Sequence, residues 1–357
     1  MYIERNRRIA FVDIDLSGHH ISYLTTLCRA VDHYILIVPE RVAELPIERQ
    51  RFITDTKGLH NHPYRYMRWL NQVKKIVQAE NINTIHFLYG DAFARYFGIG
   101  LRKFKQYKTI ATFHQIRRNF IKDISFRLIM RHLDLGVVHT AYLLKQFKHL
   151  GIQNLYQIEY PCFLQFGDLS QKDVKDRLMI PNNQVVIGFV GLISDYKGLD
   201  LLTESLRKIE MPFHLLVAGE NIAYSDAELK KMIHGLENRS TTLFRHLTNI
   251  EYATCILASD IIVLPYKKSF NGASGPLTEA VFNGKIVLGA NHGSLGDIIQ
   301  DNHIGYTFNT NDVDDLVRVI DQTLSKTFRM DNKYVDYRRK LNLDIFVEQY
   351  QRIYQEI

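Results

Sequence analysis

Small residues and one carboxylate crowd a single short stretch of the chain, Asn271-Gly272-Ala273-Ser274-Gly275-Pro276-Leu277-Thr278-Glu279-Ala280. Pro276 suits the first turn of a helix, where its missing N–H costs nothing. Ser274 and Gly275 then stand at the N-terminal cap, and Gly284 is placed to end the helix. The expected unit is a small-residue loop opening into a short helix, with free backbone N–H groups at its mouth. Those groups and the helix dipole favour an anion, by about 0.3–2 kcal/mol for the dipole alone. Glu279, about one turn inside, is placed to accept hydrogen bonds from hydroxyl groups beside that anion. The same residues also describe a plain capped helix with Glu279 facing solvent, and local chemistry leaves both readings open.

Two further groups of residues stand near the start of the chain. Asp15-Leu16-Ser17-Gly18-His19-His20 occupies the first strand-to-helix turn. Gly18 allows close backbone approach, and His19 or His20 is available to touch a phosphate or an acceptor. A polar helix start is the competing reading. Phe113-His114-Gln115 follows an apolar strand, with Arg117 and Arg118 close behind as contacts for an anionic ligand.

The elements that position these residues alternate between strand-like and helix-like segments, the pattern of α/β domains with parallel sheets. Residues 8–12, 34–38, 83–88, 109–113 and 135–138 read as strands. Ile21, Leu24, Cys28 and Val31 fall at helical spacing after the first of them. A helix is expected from Thr140. The pattern lapses around Glu159 to Phe166, which reads as a linker. Strands resume at 185–190, 213–218, 261–264 and 286–288, and a helix from about Gly198 buries Leu199, Leu202, Leu206 and Ile209. An amphipathic helix, 345–357, closes the chain. Two doubly wound domains in tandem are expected, with ligands at the carboxyl ends of their strands.

Composition agrees with an ordinary globular chain: 357 residues, 46% hydrophobic and 23% charged, enough for two domains. The apolar run after the basic N-terminus is broken by Asp13 and Asp15, so no signal peptide is expected. No stretch reaches the roughly 20 apolar residues of a spanning helix. Cys28, Cys162 and Cys255 lie far apart, which fits a reducing cytosol and no disulfide framework. Net charge is +7, and the segment from Arg102 to Arg131 holds nine Lys or Arg and one acid, Asp123. This is either a solvated basic face or a surface drawn to anionic lipid, worth roughly 1 kcal/mol per basic residue. Nucleic acid is not expected as a partner, since no zinc-finger, RRM or KH signature is present.

Pro265-Tyr266, then Ser274 to Ala280, then Asn283-Gly284-Lys285-Ile286-Val287 resembles the signature of family 4 glycosyltransferases. The resemblance runs from about Val185 to Phe308. It includes Phe189-Val190-Gly191-Leu192-Ile193-Ser194-Asp195-Tyr196-Lys197-Gly198, Leu215 to Glu220, Ala258-Ser259-Asp260, Gly293, Ile298-Ile299 and Gly305. It implies a GT-B fold, with two Rossmann-like doubly wound domains facing a central cleft. The expected division is an acceptor-binding domain at 1–162, a nucleotide-sugar-binding domain at 163–340, and a helix at 341–357 packing back on the first. The implied activity is retaining transfer of a sugar from a nucleotide-sugar to a glycan or lipid-linked acceptor, in surface polysaccharide synthesis. Neither a metal nor a further cofactor is expected. The implied setting is the cytoplasm, with peripheral membrane contact through the basic 102–131 region.

Position by position, Glu279 resembles the second Glu of the family's two-glutamate motif, which holds the donor ribose. Ser274, Gly275 and Pro276 lie where the loop backbone meets the diphosphate. Gly191 and Gly219 fall in the matching strand-end loops. Lys197 resembles the lysine that neutralises the diphosphate. A nucleoside diphosphate gains charge as it leaves, and a preorganised cation beside a helix N-terminus stabilises charge where it develops. Gly18 resembles the small-residue loop facing the donor, His114 the histidine near the transferred sugar. The family's first Glu is Asn271 here, and its usual arginine after the strand glycine is Leu192. Asn271 still reaches a donor-sugar hydroxyl but supplies no charge. Two alternatives therefore stay open: a catalytically weak or inactive relative acting as an adaptor or partner subunit, and another GT-B enzyme such as a nucleotide-sugar epimerase.

Several signals are set aside. Asp13-Ile14-Asp15 has the spacing of a metal-binding pair of carboxylates but ends the first strand, too early for such a site. His60 and His62 lack ligand partners nearby. Gly272 to Pro276 departs from a serine nucleophile elbow at its last position. No Walker A loop or Gly-x-Gly-x-x-Gly fingerprint opens either domain.

Overall fold

A computed structural model describes residues 7–16, 20–56, 58–115, 119–164 and 170–357. The chain divides into two compact units, Met1–Glu159 with Leu343–Ile357, and Tyr160–Asn342. Each is a parallel-sheet α/β domain of Rossmann-like order.

In the first unit the strands are β1 (Ile9–Val12), β2 (Tyr34–Val38), β3 (Gln50–Phe52), β4 (Thr84–Phe87), β5 (Lys108–Phe113), β6 (Leu135–Val138) and β7 (Leu155–Gln157). They pair in the order β3-β2-β1-β4-β5-β6-β7. Every pairing is parallel, with Ile9 opposite both Tyr34 and Thr84. Helices α1 (His20–Cys28), α2 (Pro63–Ala79), α3 (Phe120–Met130) and α4 (Ala141–Lys148) belong to the same unit. Asn119 and Thr140 cap α3 and α4 by accepting backbone N–H groups of Lys122 and Leu143, the usual role of such residues.

In the second unit the strands are β8 (Val186–Val190), β9 (His214–Ala218), β10 (Ser240–Leu243), β11 (Ile261–Leu264), β12 (Ile286–Ala290) and β13 (Gly305–Phe308), in the order β10-β9-β8-β11-β12-β13. Its helices are α5 (Gln171–Arg177), α6 (Leu199–Leu206), α7 (Asp226–Ile233), α8 (Asn249–Ala258), α9 (Gly275–Phe282), α10 (Gly293–Asp301), α11 (Val313–Ser325) and α12 (Asn332–Lys340). The central strands read Val-Ile-Gly-Phe-Val, His-Leu-Leu-Val-Ala and Ile-Ile-Val-Leu and are buried throughout. Parallel sheets covered on both faces require such continuous apolar runs.

The last helix, α13 (Leu343–Glu356), belongs to the first unit. Phe346, Tyr350, Ile353 and Tyr354 are buried there. Polar bonds fasten it. The hydroxyls of Tyr350 and Tyr23 bond to each other, and Tyr354 Oη lies 2.7 Å from His86 Nδ1. The other ring nitrogen, His86 Nε2, meets Thr112 Oγ1 at 2.8 Å. Residues 160–162 and 341–342 go with the second unit, where Cys162 N–H donates to Leu341 O at 2.9 Å.

Two details differ from the sequence expectation. Helix α1 ends at Cys28, so Val31 lies beyond it, and the buried side is Tyr23, Leu24, Leu27 and Cys28. Strands β3, β7, β10 and β13 were not anticipated. Among the described residues no helix is long and apolar enough to cross a membrane.

In both sheets the strand order reverses beside the first strand, between β1 and β4 and between β8 and β11. The loops leaving the carboxyl ends of those strands are where such folds bind ligands.

Candidate functional site

In the second unit the loop after β11 and the start of α9 take the form expected. Ser274 is the N-cap residue, Pro276 lies in the first turn, and Gly284 follows the helix in a left-handed conformation, φ 70°. The Ser274 side chain does not cap the helix. Its Oγ instead lies 3.2 Å from Tyr266 Oη.

The glycines bring three backbone segments together. A Cβ on Gly219 would fall 1.8 Å from Gly191 O, so the loops after β8 and β9 touch backbone to backbone. A Cβ on Gly191 (φ 122°) would come within 3.3 Å of Pro276 Cγ at the mouth of α9. Gly191, Gly219 and Pro276 thus lie together where close approach of a ligand to backbone is possible.

Lys197 is buried. Its Nζ lies 3.7 Å from the ring centroid of Tyr266. Burial brings its pKa down to about 7. Glu279 is also buried, at 2% exposure, so the solvent-facing reading of this carboxylate fails. It stands among Tyr160, Cys162 and Tyr252: burial first, then the Glu279 charge, pushes the Tyr160 and Tyr252 phenols and the Cys162 thiol up. Glu279 and Asn283 line a small pocket with Leu164, Tyr252, Ala253, Ile256 and Leu257. Tyr266 joins the set: it carries Lys197 on its face, bonds Ser274, and is influenced by Glu279.

Asn271 is half-buried and turned toward α10. A Cβ on Gly293, the first residue of that helix, would fall 2.3 Å from Asn271 Oδ1. Ser294 Oγ donates to Gly272 O at 2.7 Å, which ties the same loop to α10. Leu192 is exposed at the end of β8.

In the first unit a second polar cluster forms beyond β1, β4, β5 and β6. Asp13 is buried; its Oδ1 accepts the N–H of Ile14 at 2.8 Å and of Asp15 at 3.3 Å. Its Oδ2 lies 3.0 Å from His20 Nδ1. Burial alone would lower the His20 pKa, but the bond to Asp13 and the charges of Asp13, Asp15 and Asp91 outweigh it and raise it. His114 Nε2–H donates to Leu88 O at 2.8 Å, and burial lowers the imidazole to about 3. His139 Nδ1–H donates to Ile158 O at 2.9 Å and is held at about 4 by burial. The rings of His20 and His139 lie 5.9 and 5.3 Å from that of His114. Tyr23 meets His114 and His139 edge-on.

Asp91 anchors this cluster. Its Oδ2 accepts the backbone N–H of His114 at 3.0 Å and of Gln115 at 3.4 Å. Burial raises its carboxyl to about 7. The sequence assigns no role to Asp91, His139 or Tyr23, although polar residues following the apolar strands β4 and β6 are a usable signal for the first two. Tyr266 belongs to the signature, and its part in the site comes from its contacts with Lys197 and Ser274. Gly18, His19, Arg117 and Arg118 lie outside the described residues.

Residues 170–341 match the family of glycosyl transferases group 1. No curated protein gives a match. Solved structures of similar fold include a glycosyltransferase from Rickettsia africae ESF-5, with TM-score 0.79 and 18% identity over 99% of this chain and 98% of that one. Anabaena HepE in complex with UDP gives TM-score 0.78 and 15% identity over 98% and 100%. HepE is also solved with UDP and glucose and with UDP-glucose. The apo lipopolysaccharide outer core galactosyltransferase WaaB gives TM-score 0.69 and 13% identity over 98% and 100%. At these identities the structural likeness speaks for the fold. Residues 170–341 thus resemble the glycosyl transferases group 1 family, and the solved structures share the fold of GT-B glycosyltransferases.

Proposed function

We propose that the chain is a retaining, metal-independent hexosyltransferase of family 4 type that moves a sugar from a nucleotide-sugar to a glycan or lipid-linked acceptor in surface polysaccharide synthesis. One observation carries the reading. Lys197, Ser274 and Glu279 converge on Tyr266 at the mouth of α9, beyond β8 and β11 and inside the matched segment. In this reading Lys197 and the first amides of α9 take the diphosphate, where helix termini favour anions. Gly191, Gly219, Ser274, Gly275 and Pro276 let it approach the backbone. Glu279 takes the ribose hydroxyls, and Asn271 a hydroxyl of the donor sugar.

The first unit supplies the acceptor side. His114, assigned to the transferred sugar from sequence, is a neutral ring whose Nε2–H is committed to Leu88 O. His20 belongs to the acceptor contacts, with Gly18, His19, Arg117 and Arg118 assigned from sequence alone. The acceptor hydroxyl attacks from the face the leaving group departs, and a departing phosphate oxygen takes its proton. No protein nucleophile is required. Charge growing on the diphosphate is met by a cation and dipoles already in place.

HepE carries UDP and UDP-glucose, so uridine nucleotides are the first donors to test. Thermal shift against nucleoside diphosphates and nucleotide-sugars is direct, because a ligand at 100 times its Kd stabilises the fold by about 2.7 kcal/mol. No shift with any of them overturns the donor reading.

Leu192 in place of a cation, and Asn271 turned to Gly293, favour a second reading, a weak or inactive relative acting as a partner subunit. Slow hydrolysis of one donor among a panel, with no acceptor present, would decide for the enzyme. The setting we propose is the inner face of the cell membrane. Arg102, Lys105, Lys108, Arg127 and Arg131 are exposed, and Phe120 and Ile121 at the start of α3 stand out at 79% and 63%.

A further inference from the structure

Lys197 sits in a box of three rings. Its Nζ lies 3.7 Å from the centroid of Tyr266, 4.8 Å from Phe270 and 5.6 Å from Tyr196. Phe270 organises the box. It stacks on Tyr196 at 6.2 Å and 4°, and meets Tyr266 edge-on at 4.8 Å and 73°. Backbone contacts hold the walls in place: Lys267 N–H donates to Tyr196 O at 2.8 Å. Gly198 (φ 74°) lies so close to the strand end that a Cβ there would fall 2.1 Å from Pro265 O.

Two carboxylates lie on the same elements, Asp195 in the turn before Lys197 and Asp200 on α6. Both are engaged by Lys267, at 2.7 and 3.5 Å. Among the described residues Lys197 forms no ion pair. The remaining titratable groups on the packed segments act elsewhere: Glu279 on Tyr266, and Lys268 on His292. Burial lowers the pKa of Lys197 itself.

Resting on the donor reading above, we propose that Tyr196, Tyr266 and Phe270 are positioning residues that hold Lys197 by cation–π attraction, while Lys267 draws off the neighbouring carboxylates, so that the pyrophosphate of the donor becomes the lysine's only counter-ion. Ring faces attract an ammonium weakly compared with a charged oxygen. An arriving diphosphate therefore takes the lysine without having to break an ion pair. A mere nucleoside gains nothing from it. Tyr266 links the box to the helix mouth through its bond to Ser274.

The test has two readouts. Lys197 is titrated by NMR of 15N-lysine in the ligand-free protein, and UDP and uridine are bound by calorimetry from pH 6 to 9. In the wild type, UDP affinity falls about tenfold per pH unit above the Lys197 midpoint. Phe270→Leu, or the half-buried Tyr196→Leu if the first fails to fold, keeps the site apolar but removes a ring face that favours the ammonium, and moves that midpoint down by about half a pH unit or more. The break in UDP affinity moves with it. Lys267→Met frees Asp195 and Asp200, weakening UDP at pH 7 while leaving uridine unchanged. A midpoint that stays or rises in both ring variants, or UDP affinity unmoved in Lys267→Met, overturns the proposal. Failure of UDP and every other nucleoside diphosphate to bind the wild type overturns the donor reading instead. The ligand-free titration still decides on the box.

Discussion

Mild acid is expected to destabilise the first unit through histidines that the fold keeps neutral. Burial holds His86 at about 3, His114 at about 3 and His139 at about 4. An unfolded histidine titrates near 6.5. Between those limits the unfolded chain binds protons that the folded one refuses, so this stability is present above about pH 6.5 and is lost as pH falls. Each histidine costs on the order of 1–2 kcal/mol between pH 6.5 and 5. Asp91 works in the opposite sense. Burial holds its carboxyl at about 7, so the folded state takes that proton first and recovers on the order of 1–2 kcal/mol over the same span. His20, raised through its bond to Asp13, also favours the fold as pH falls. The three neutral histidines and Asp91 together leave a net loss of a few kcal/mol, which His20 reduces, still a large fraction of ordinary stability. The assay is urea unfolding at pH 6.5 and 5.0, followed by tryptophan fluorescence. Trp69 is the single tryptophan of the chain and is buried on α2, so the signal reports the first unit. His139→Gln removes one neutral imidazole and should cut the loss to about half. A midpoint that does not move between the two pH values, or a loss unaltered in His139→Gln, would refute the reasoning.

Glu279→Ala should weaken UDP and uridine alike, by roughly 10–150-fold, because charged hydrogen bonds to the ribose are worth about 1.5–3 kcal/mol; equal binding by variant and wild type removes Glu279 from the site. Lys197→Ala should weaken UDP and spare uridine, and equal losses for both would contradict its assignment to the diphosphate. Tyr354→Phe leaves His86 Nδ1 buried without its partner and should cost about 1–3 kcal/mol in the same fluorescence assay. Replacing both Phe120 and Ile121 by serine should reduce sedimentation with phosphatidylserine vesicles, as should high salt; retention in both conditions speaks against membrane contact through this region.

The strands that could be read in the sequence and those that could not divide by place in the sheet. Most of the interior strands, such as Val186–Val190 and Ile261–Leu264, are apolar on both faces and announce themselves. The four that went unread, Gln50–Phe52, Leu155–Gln157, Ser240–Leu243 and Gly305–Phe308, are the four sheet edges. An edge strand has a neighbour on one side only, so Gln-Arg-Phe or Ser-Thr-Thr-Leu suffices, and no hydrophobic run marks it. At the site, the loop and short helix around Pro276 were legible because proline and glycine have fixed positions at helix ends. The burial of Glu279 was not, since it depends on Tyr160 and Tyr252 from distant segments. Asp91 was missed for the same reason: its partners are backbone amides that only the β4–β5 pairing brings near.

The return of α13 to the first unit has a consequence for how the molecule is made. A ribosome releases the second unit as one unbroken stretch, finished by residue 342. The first unit, although begun earlier, still lacks the helix that closes over His86 and Tyr23. Synthesis from the N-terminus would therefore let the later half settle while the earlier half waits, its aromatic sockets uncovered. Until Tyr354 emerges, that waiting sheet is the surface a chaperone would be expected to shield.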